Sequence, residues 1–595
     1  MALPIRRARG GRSASVQALE VTDFSGGLNL DAGQFNLGKN EVAELVDMDV
    51  VGRGGVRRRR AFRALKNDGG GVFEECPRSV FTFEASNGNR YVNVIAPRDV
   101  STDRRLLWYS ENGGVLTAFS GTPALFGLAN NAAVVALTSK ARAAVAGDAL
   151  WGVWDYGGGL STRPKPFKVD GTNTLSLPNE AGCLGANNSG WTNQIGAFEA
   201  GSVAGMANGR CVAAHYGYLW VGNTIQNTAQ NDTSSTTRFK SRVRWSHPGV
   251  YDRWREDDWI DVEVGKDGDE ITALVPFRDH LLVFKNRSVH AIYGDSPDNF
   301  TVVNLSNDFG CVNQEAVVAT PFGVFFFDRV SGVWGWDGST FRWLFAPMMP
   351  LLRDGTIPAD KRDDVQVGWV ENRLWAGVPW LGEAATRART LVFDPSVGRG
   401  AWSLYTVGAG PFAAVRQIGG SILHVAGCSG TKMLQMLEQS GDVDQLTVDG
   451  SNDYVDTAIT GSFRTPWIEA GVGADKQWKR PDVVVSADGD VNITVDAFFD
   501  YVADRSVPRK TFTVSRDVGS TEFEWHDVSA PNPPYDQWDG APWAGEGVST
   551  LVARGSNIGR SRAVSFRFST PSGQVWPRWS VDGLIVKFRR KRVRG

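Results

Sequence analysis

Short apolar and aromatic runs, each opened by a glycine or polar turn, recur through the first three quarters of the chain. They begin with "NGNRYVNVIA" at Asn87, "GDALWGVW" at Gly147, "YGYLWVGN" at Tyr216 and "RDHLLVF" at Arg278. "FGVFFFD" at Phe322, "ENRLWAGV" at Glu371 and "GGSILHVAG" at Gly419 continue the series. Their spacing, roughly 45 to 70 residues, is near that of four-stranded propeller blades. Most are followed by a second strand, a turn and an aromatic residue, as in "RVRWSHPGVYDRW" (242–254), "GVWGWDGSTFRW" (332–343) and "TLVFDPSVGRGAW" (390–402). A sheet this small cannot bury both faces alone, so stacking around an axis is expected. Six or seven units fit a closed β-propeller over residues 70–438, with a run of β-sandwiches as the rival architecture.

From Asp453 the texture changes. "DVNITVDAFFDY", "KTFTVS", "RAVSFRFST" and "WSVDGLIVKF" alternate apolar and polar positions over longer stretches separated by Gly/Asp turns. A β-sandwich or jelly-roll-like module is expected over 439–595. Residues 1–69 read as an extended N-terminal arm, and the fold class as all-β.

Composition agrees with many strands and turns: 68 glycines and 22 tryptophans, with a formal net charge of −2. The near balance of charge names neither nucleic acid nor membrane as an obligate partner. Arginine outnumbers lysine 48 to 15, which points to a GC-rich genome. Cys76, Cys183, Cys211, Cys311 and Cys428 are scattered, and read as buried free thiols rather than a disulfide framework or zinc site. The start, "MALPIRRARGGRSAS", lacks the apolar run of a signal peptide, and no span of roughly 18 apolar residues occurs. Synthesis in a cytoplasm and no membrane-spanning helix are expected.

Little in the chain suggests catalysis. His215, His247, His280, His290, His424 and His526 stand apart from one another, without zincin, nucleophile-elbow or Walker patterns around them. The runs "DGGG" at Asp68 and "YGGG" at Tyr156 lack the lysine of a phosphate loop. Asp267, Asp269 and Glu270 could offer oxygens to calcium, but without EF-hand spacing they read as a solvated turn. "SADGDVNI" at Ser486 begins like a sialidase Asp-box turn and lacks its tryptophan. No enzyme activity, cofactor or metal is expected. In the proline- and aromatic-rich loop 530–547, Tyr535, Trp538 and Trp543 are candidate surface anchors for a sugar or a protein, or else plugs for the end of the sandwich. Arginines cluster at Arg6, Arg7, Arg9 and Arg12, at Arg57, Arg58, Arg59 and Arg60, and at Arg589, Arg590 and Arg592. In a chain of balanced charge they read as assembly contacts to acidic neighbours.

One stretch carries a family resemblance. "FSGGLN" (24–29) is followed by "LGKNE" (37–41), "LVDMD" (45–49) and a glycine-rich turn into "VRRRR" (56–60). This resembles the N-terminal signature of a broad group of tailed-bacteriophage tail proteins. Its usual form is Phe-x-Gly-Gly-Leu-Asn, a stretch ending in Asn-Glu, Leu-x-Asn, then Gly-x-Leu-x-x-Arg and a glycine. Asp47 stands where asparagine is commoner, and Phe62 where Pro-Gly is usual. The group places a β-propeller after the motif, often with a β-rich C-terminal module. It includes nozzle proteins of short tails and minor tail proteins at the tip of long ones.

Read physically, Gly26 and Gly27 allow a tight turn, Asn40 is a candidate N-cap for a short helix with Val42, Leu45 and Val46 on one side, and 56–65 is a strand. Phe24, Gly26, Gly27, Leu28 and Asn29, with the arginine clusters, are the candidate contacts to neighbouring chains; the alternative is that the segment donates a strand that closes its own propeller. The resemblance implies a structural virion protein, a homo-oligomer at the distal tail around the DNA exit path. Its partners would be tube, hub or tip proteins, the host surface and DNA in transit. The alternative is a propeller module binding host-surface glycans, and a glycosidase is third.

Overall fold

The computed structural model describes residues 16–65, 77–95, 107–111, 117–118, 140–155, 166–176, 203–227, 236–448, 454–501, 507–516, 524–527, 548–551, 557–571 and 575–590. Short gaps within these spans fall at 34–35, 53, 173, 205, 265–267, 386, 418–419, 429–432, 472–474 and 490. Contacts divide the chain into two units, Arg60–Asp394 with Leu404–Thr457, and Met1–Arg59 with Pro395–Ser403 and Ala458–Gly595.

The first unit is a β-propeller built of antiparallel meanders. Five of its sheets are four-stranded. The first meander is Ser79–Glu84, Arg90–Ile95, Leu107–Glu111 and Thr117–Ala118; the second is Lys140–Val145, Ala149–Asp155, Phe167–Asp170 and Leu175–Ser176. The third, Asn208–His215, Tyr218–Asn227, Thr236–His247 and Val250–Asp261, carries Val203–Ala204 as a fifth strand. The fourth is Ile271–Phe277, His280–Lys285, Val289–Tyr293 and Thr301–Ser306; the fifth is Val317–Thr320, Gly323–Asp328, Gly332–Trp336 and Phe341–Trp343. Gln366–Val370, Arg373–Val378 and Arg389–Asp394 begin the sixth. The seventh, Ala409–Arg416, Ile422–Cys428 and Met433–Gln439, takes its fourth strand from far upstream, Ala61–Ala64. The opening strands of successive meanders touch in order, and that of the seventh touches that of the first. All seven repeats read from the sequence are the hairpin from the first to the second strand of a meander.

Local chemistry makes these hairpins. His215 pairs with Tyr218 and Val370 with Arg373, leaving two-residue loops. Both loop residues have positive φ, Tyr216 (48°) with Gly217 (76°) and Glu371 (47°) with Asn372 (60°), as a type I′ turn requires. The strands then alternate between two neighbours. In Ala149–Asp155, Leu150 and Trp154 join a cluster with Phe83, Tyr91 and Ile95 of the first meander. Trp151 and Val153 face Val212, Leu219 and Val221 of the third. Phe284 meets Phe326 at 5.0 Å between the fourth and fifth, and Phe325 stacks on Trp369 at 5.6 Å between the fifth and sixth. Cys211 and Cys311 are buried thiols, and burial pushes the Cys311 thiol up to about 12.

The second unit contains two larger sheets. In one, the long strand Trp579–Arg590 pairs with Asp482–Ala487, Lys476–Lys479, Gln17–Val21 and Val56–Arg58. In the other, Glu44–Val46, Ser462–Arg464, Val564–Ser569, Val491–Phe499, Lys510–Arg516 and Glu524–Asp527 lie side by side. From Gln17 the extended N-terminal segment lends strands to both sheets, and Ala61–Ala64 is a strand donated within the propeller. The expected helix is replaced by strands, Glu41–Val42 and Glu44–Val46. Val42, Leu45 and Met48 are buried by pairing, and Asp47 takes a positive φ of 51° that breaks any helix there. The strand expected over 56–65 is two strands, interrupted at Arg59 and Arg60, where the units divide.

Phe62 holds the closing strand. It is fully buried, lies 5.8 Å from Trp375 and 6.4 Å from Tyr405, and its N–H donates to Asp444 Oδ1 at 2.8 Å. A proline nearby in place of this N–H could not make that bond. Phe62→Ala is expected to lower unfolding stability by about 3–5 kcal/mol. Equilibrium denaturation measures it, and a loss under about 1 kcal/mol would deny the strand its closing role.

Candidate functional site

The residues singled out at the N-terminus form one bonded clasp. Gly26 N–H donates to Asn40 O (2.9 Å) and Gly27 N–H to Phe24 O (3.0 Å). Gly27–Leu28 then pairs in parallel with Glu41–Val42. Gly27 has φ +63°, and a Cβ there would lie 2.8 Å from Trp402 N, so glycine serves both the turn and the close approach. Asn29 Nδ2 donates to Glu41 Oε1 at 2.9 Å, Gly38 N–H donates to Glu41 Oε2 at 2.7 Å, and Asn29 Oδ1 accepts from Asp31 and Ala32 N–H. Asn40 caps no helix, and its Nδ2 donates to Ser25 Oγ at 3.3 Å. Phe24 is buried edge-on against Phe463, which stacks on Phe568 at 4.9 Å.

The arginine cluster separates on folding. Arg58 and Arg59 are buried, Arg58 Nη1 donating to Trp576 O (2.6 Å) and Arg59 Nε to Asp47 Oδ1 (2.6 Å). Arg57 lies 3.6 Å from Asp488. Phe24, Leu28, Arg58 and Arg59 are thus corrected from contacts with neighbouring chains to internal ones, because burial denies them to a partner. Arg60, Arg589 and Arg590 are exposed, while Arg592, Tyr535, Trp538, Trp543 and Asp267 lie outside the described residues. Asp269 accepts from Arg287 N–H and Ser288 Oγ, and Glu270 from Arg210. Among the described residues no group of three or more His, Cys, Asp or Glu is placed to hold a metal ion.

A second cluster went unread in the sequence. Lys140 and Arg142, two apart on a strand and so on one face, reach across the propeller axis. Arg142 Nε and Nη2 donate to Glu315 Oε1 (2.8 Å) and Oε2 (3.0 Å), beside the fifth meander. Lys140 Nζ lies 3.7 Å from Asp364 Oδ1 and 3.3 Å from Asp363 O, ahead of the sixth. Arg387 Nη2 donates to Pro77 O at 3.5 Å, from the sixth meander to the start of the first. None of these pairs joins adjacent meanders. Together they floor the axial channel on the side where the opening strands begin. Burial lowers the Lys140 pKa, opposed by Glu315 and Asp364. Burial raises that of Glu315, but Arg142 and Lys140 outweigh it and hold the carboxyl below its usual range.

Above the floor the channel is a pocket of about 470 Å³, lined chiefly by apolar side chains that include Phe81, Val318, Trp369, Phe412 and Ile422. Ser79, Gln314, Glu315 and His424 are its polar members. Burial lowers the His424 pKa, with Glu371 pulling the other way.

Two outcomes are expected. Asp47→Asn removes the carboxylate from a buried pair and should cost about 3 kcal/mol or more, which Arg59→Met added to it should largely restore; denaturation of the single and double variants reads this. Because the Glu315 pKa is depressed in the folded chain, the stability it lends is complete above its ordinary 4.5 and is lost as pH falls through the lower folded value. Glu315→Gln should therefore flatten the acid side of the stability-versus-pH curve.

No family model matches the sequence, and no curated protein matches it. Among solved structures, Raptor from Chaetomium thermophilum is similar with TM-score 0.35 and 9% identity, over 65% of this chain and 29% of that one. YCF48 bound to D1 peptide gives 0.33 and 9%, over 64% and 98%. A mutant of Trypanosoma rangeli sialidase displaying trans-sialidase activity gives 0.27 and 11%, over 91% and 96%. These likenesses are too distant to bear on function, and the propeller arrangement stands on the strand topology itself.

Proposed function

We propose that this chain is a structural virion protein of a bacteriophage tail, present in several copies at the distal end, as a tip or nozzle around the DNA exit path. One observation carries the reading. The residues at 24–29 and 37–41 that resemble the tail-protein signature are bonded to one another as a single clasp, Leu45 and Val46 pair instead with Phe463 and Ser462, and the chain goes on to become the strand Ala61–Ala64. A signature whose members hold each other marks a folding element and not a chance string.

In finer detail, the ring is seven-bladed, and the two larger sheets form a C-terminal β-sandwich. The role is mechanical: rigid rings make a collar, and exposed arginines such as Arg60, Arg589 and Arg590 meet acidic neighbours in the assembly. A net charge of −2 suits a wall that DNA passes without sticking, since each neutralised phosphate adds affinity. The protein works without catalysis, contributing to host attachment or to ejection. No helix among the described residues is long and apolar enough to cross a membrane.

Immunogold labelling of purified particles is expected to place the chain at the distal tail, and Arg60→Glu with Arg589→Glu and Arg590→Glu to leave particles without it. Absence from particles, with glycan binding by the purified protein on an array, would favour a host-surface glycan module instead.

A further inference from the structure

We propose that the axial pocket of the propeller receives a tyrosine or tryptophan side chain projected by a partner protein. At one end the pocket is lined by Glu315, which Arg142 holds, and Lys140–Asp364 and Arg387–Pro77 likewise join meanders that are not neighbours. Its volume, about 470 Å³, is ample for one aromatic side chain, and Phe81, Trp369 and Phe412 are among the residues lining it.

The polar end of the occupant follows from the floor. Glu315 is the charged residue lining the pocket, and each of its oxygens accepts one bond from Arg142, so acceptor capacity remains. An anion would meet this carboxylate. A cation would meet Arg142, Lys140 and Arg387, three positive charges against Glu315 and Asp364. A neutral donor, a phenol O–H or an indole N–H, satisfies the oxygen without either conflict. Sugars suit the site poorly, since few lining side chains are polar.

The occupant's carrier follows from the mouth. Phe322, 65% exposed, lies 6.0 Å from Trp369 at the rim, and Ile422, itself lining the pocket, is 56% exposed. A free ring inside the pocket would leave both in water, whereas a polypeptide bearing that ring would cover them.

The test uses the full chain and side-chain analogues followed by ligand-observed NMR. p-Cresol and 3-methylindole are expected to bind. Toluene, benzylamine and benzoate should bind at least about tenfold more weakly, the worth of the hydrogen bond to a charged acceptor. Ala319→Trp or Ala414→Trp, at exposed positions lining the pocket, should abolish p-cresol binding without changing the thermal midpoint. Tighter binding of benzylamine, benzoate or glucose than of p-cresol would overturn the proposal, as would p-cresol binding undiminished in both tryptophan variants. The carrier is tested separately and rests on the tail assignment: Phe322→Ser should retain p-cresol binding yet lower incorporation into particles, and unchanged incorporation would refute a protein-borne ring.

Discussion

Every small sheet in the propeller has two apolar faces, and no sheet can exist with one of them in water. The strand Ala149–Asp155 states the constraint most plainly. Trp154 is committed to the first meander and Trp151, three residues earlier on the other face, to the third. Tyr218–Asn227 repeats the pattern, with Trp220 packed toward the fourth meander and Leu219 and Val221 toward the second. Burial of large aromatic side chains on both faces of every sheet, the first and last included, requires the series to return to its beginning. Closure is thus the condition on which the individual sheets depend.

Closure is made by a strand from the other end of the sequence. Ala61–Ala64 pairs with Met433–Gln439, and Leu65 N–H reaches Leu434 O at 2.9 Å, so the ring is sealed by hydrogen bonds spanning almost the whole propeller sequence. The charged side chains at the axis add a second restriction. Arg142 with Glu315 and Lys140 with Asp364 join meanders across the ring, so inserting or losing one sheet would part them. Such pairs contribute little net stability, yet removing one partner of the buried Arg142–Glu315 pair leaves an uncompensated charge.

Much of this was legible in the sequence, for a local reason. The seven hairpins announce themselves through turn residues with positive φ, such as Tyr216-Gly217 and Glu371-Asn372, flanked by alternating apolar positions. The clasp residues were also named in advance, but their setting was not. Val42, Leu45 and Val46 fit a helical period as well as they fit two short strands, and only the distant Leu28 and Phe463 decide between them. The arginines at Arg58 and Arg59 looked like surface charge because their acceptors, Trp576 O and Asp47, lie far away or behind a turn. Arg142 and Glu315, 173 residues apart, gave no local sign of meeting.

The ring's closure is tested most directly by hydrogen exchange of the native chain at the amides of Phe62, Ala64 and Leu65. If the strand seals the ring, these amides exchange only through global unfolding, at the slow rate shared with the central strands of the second and third meanders. Exchange there that is orders of magnitude faster than in those strands, with the rest of the propeller still protected, would show a ring that stands open and would contradict the account.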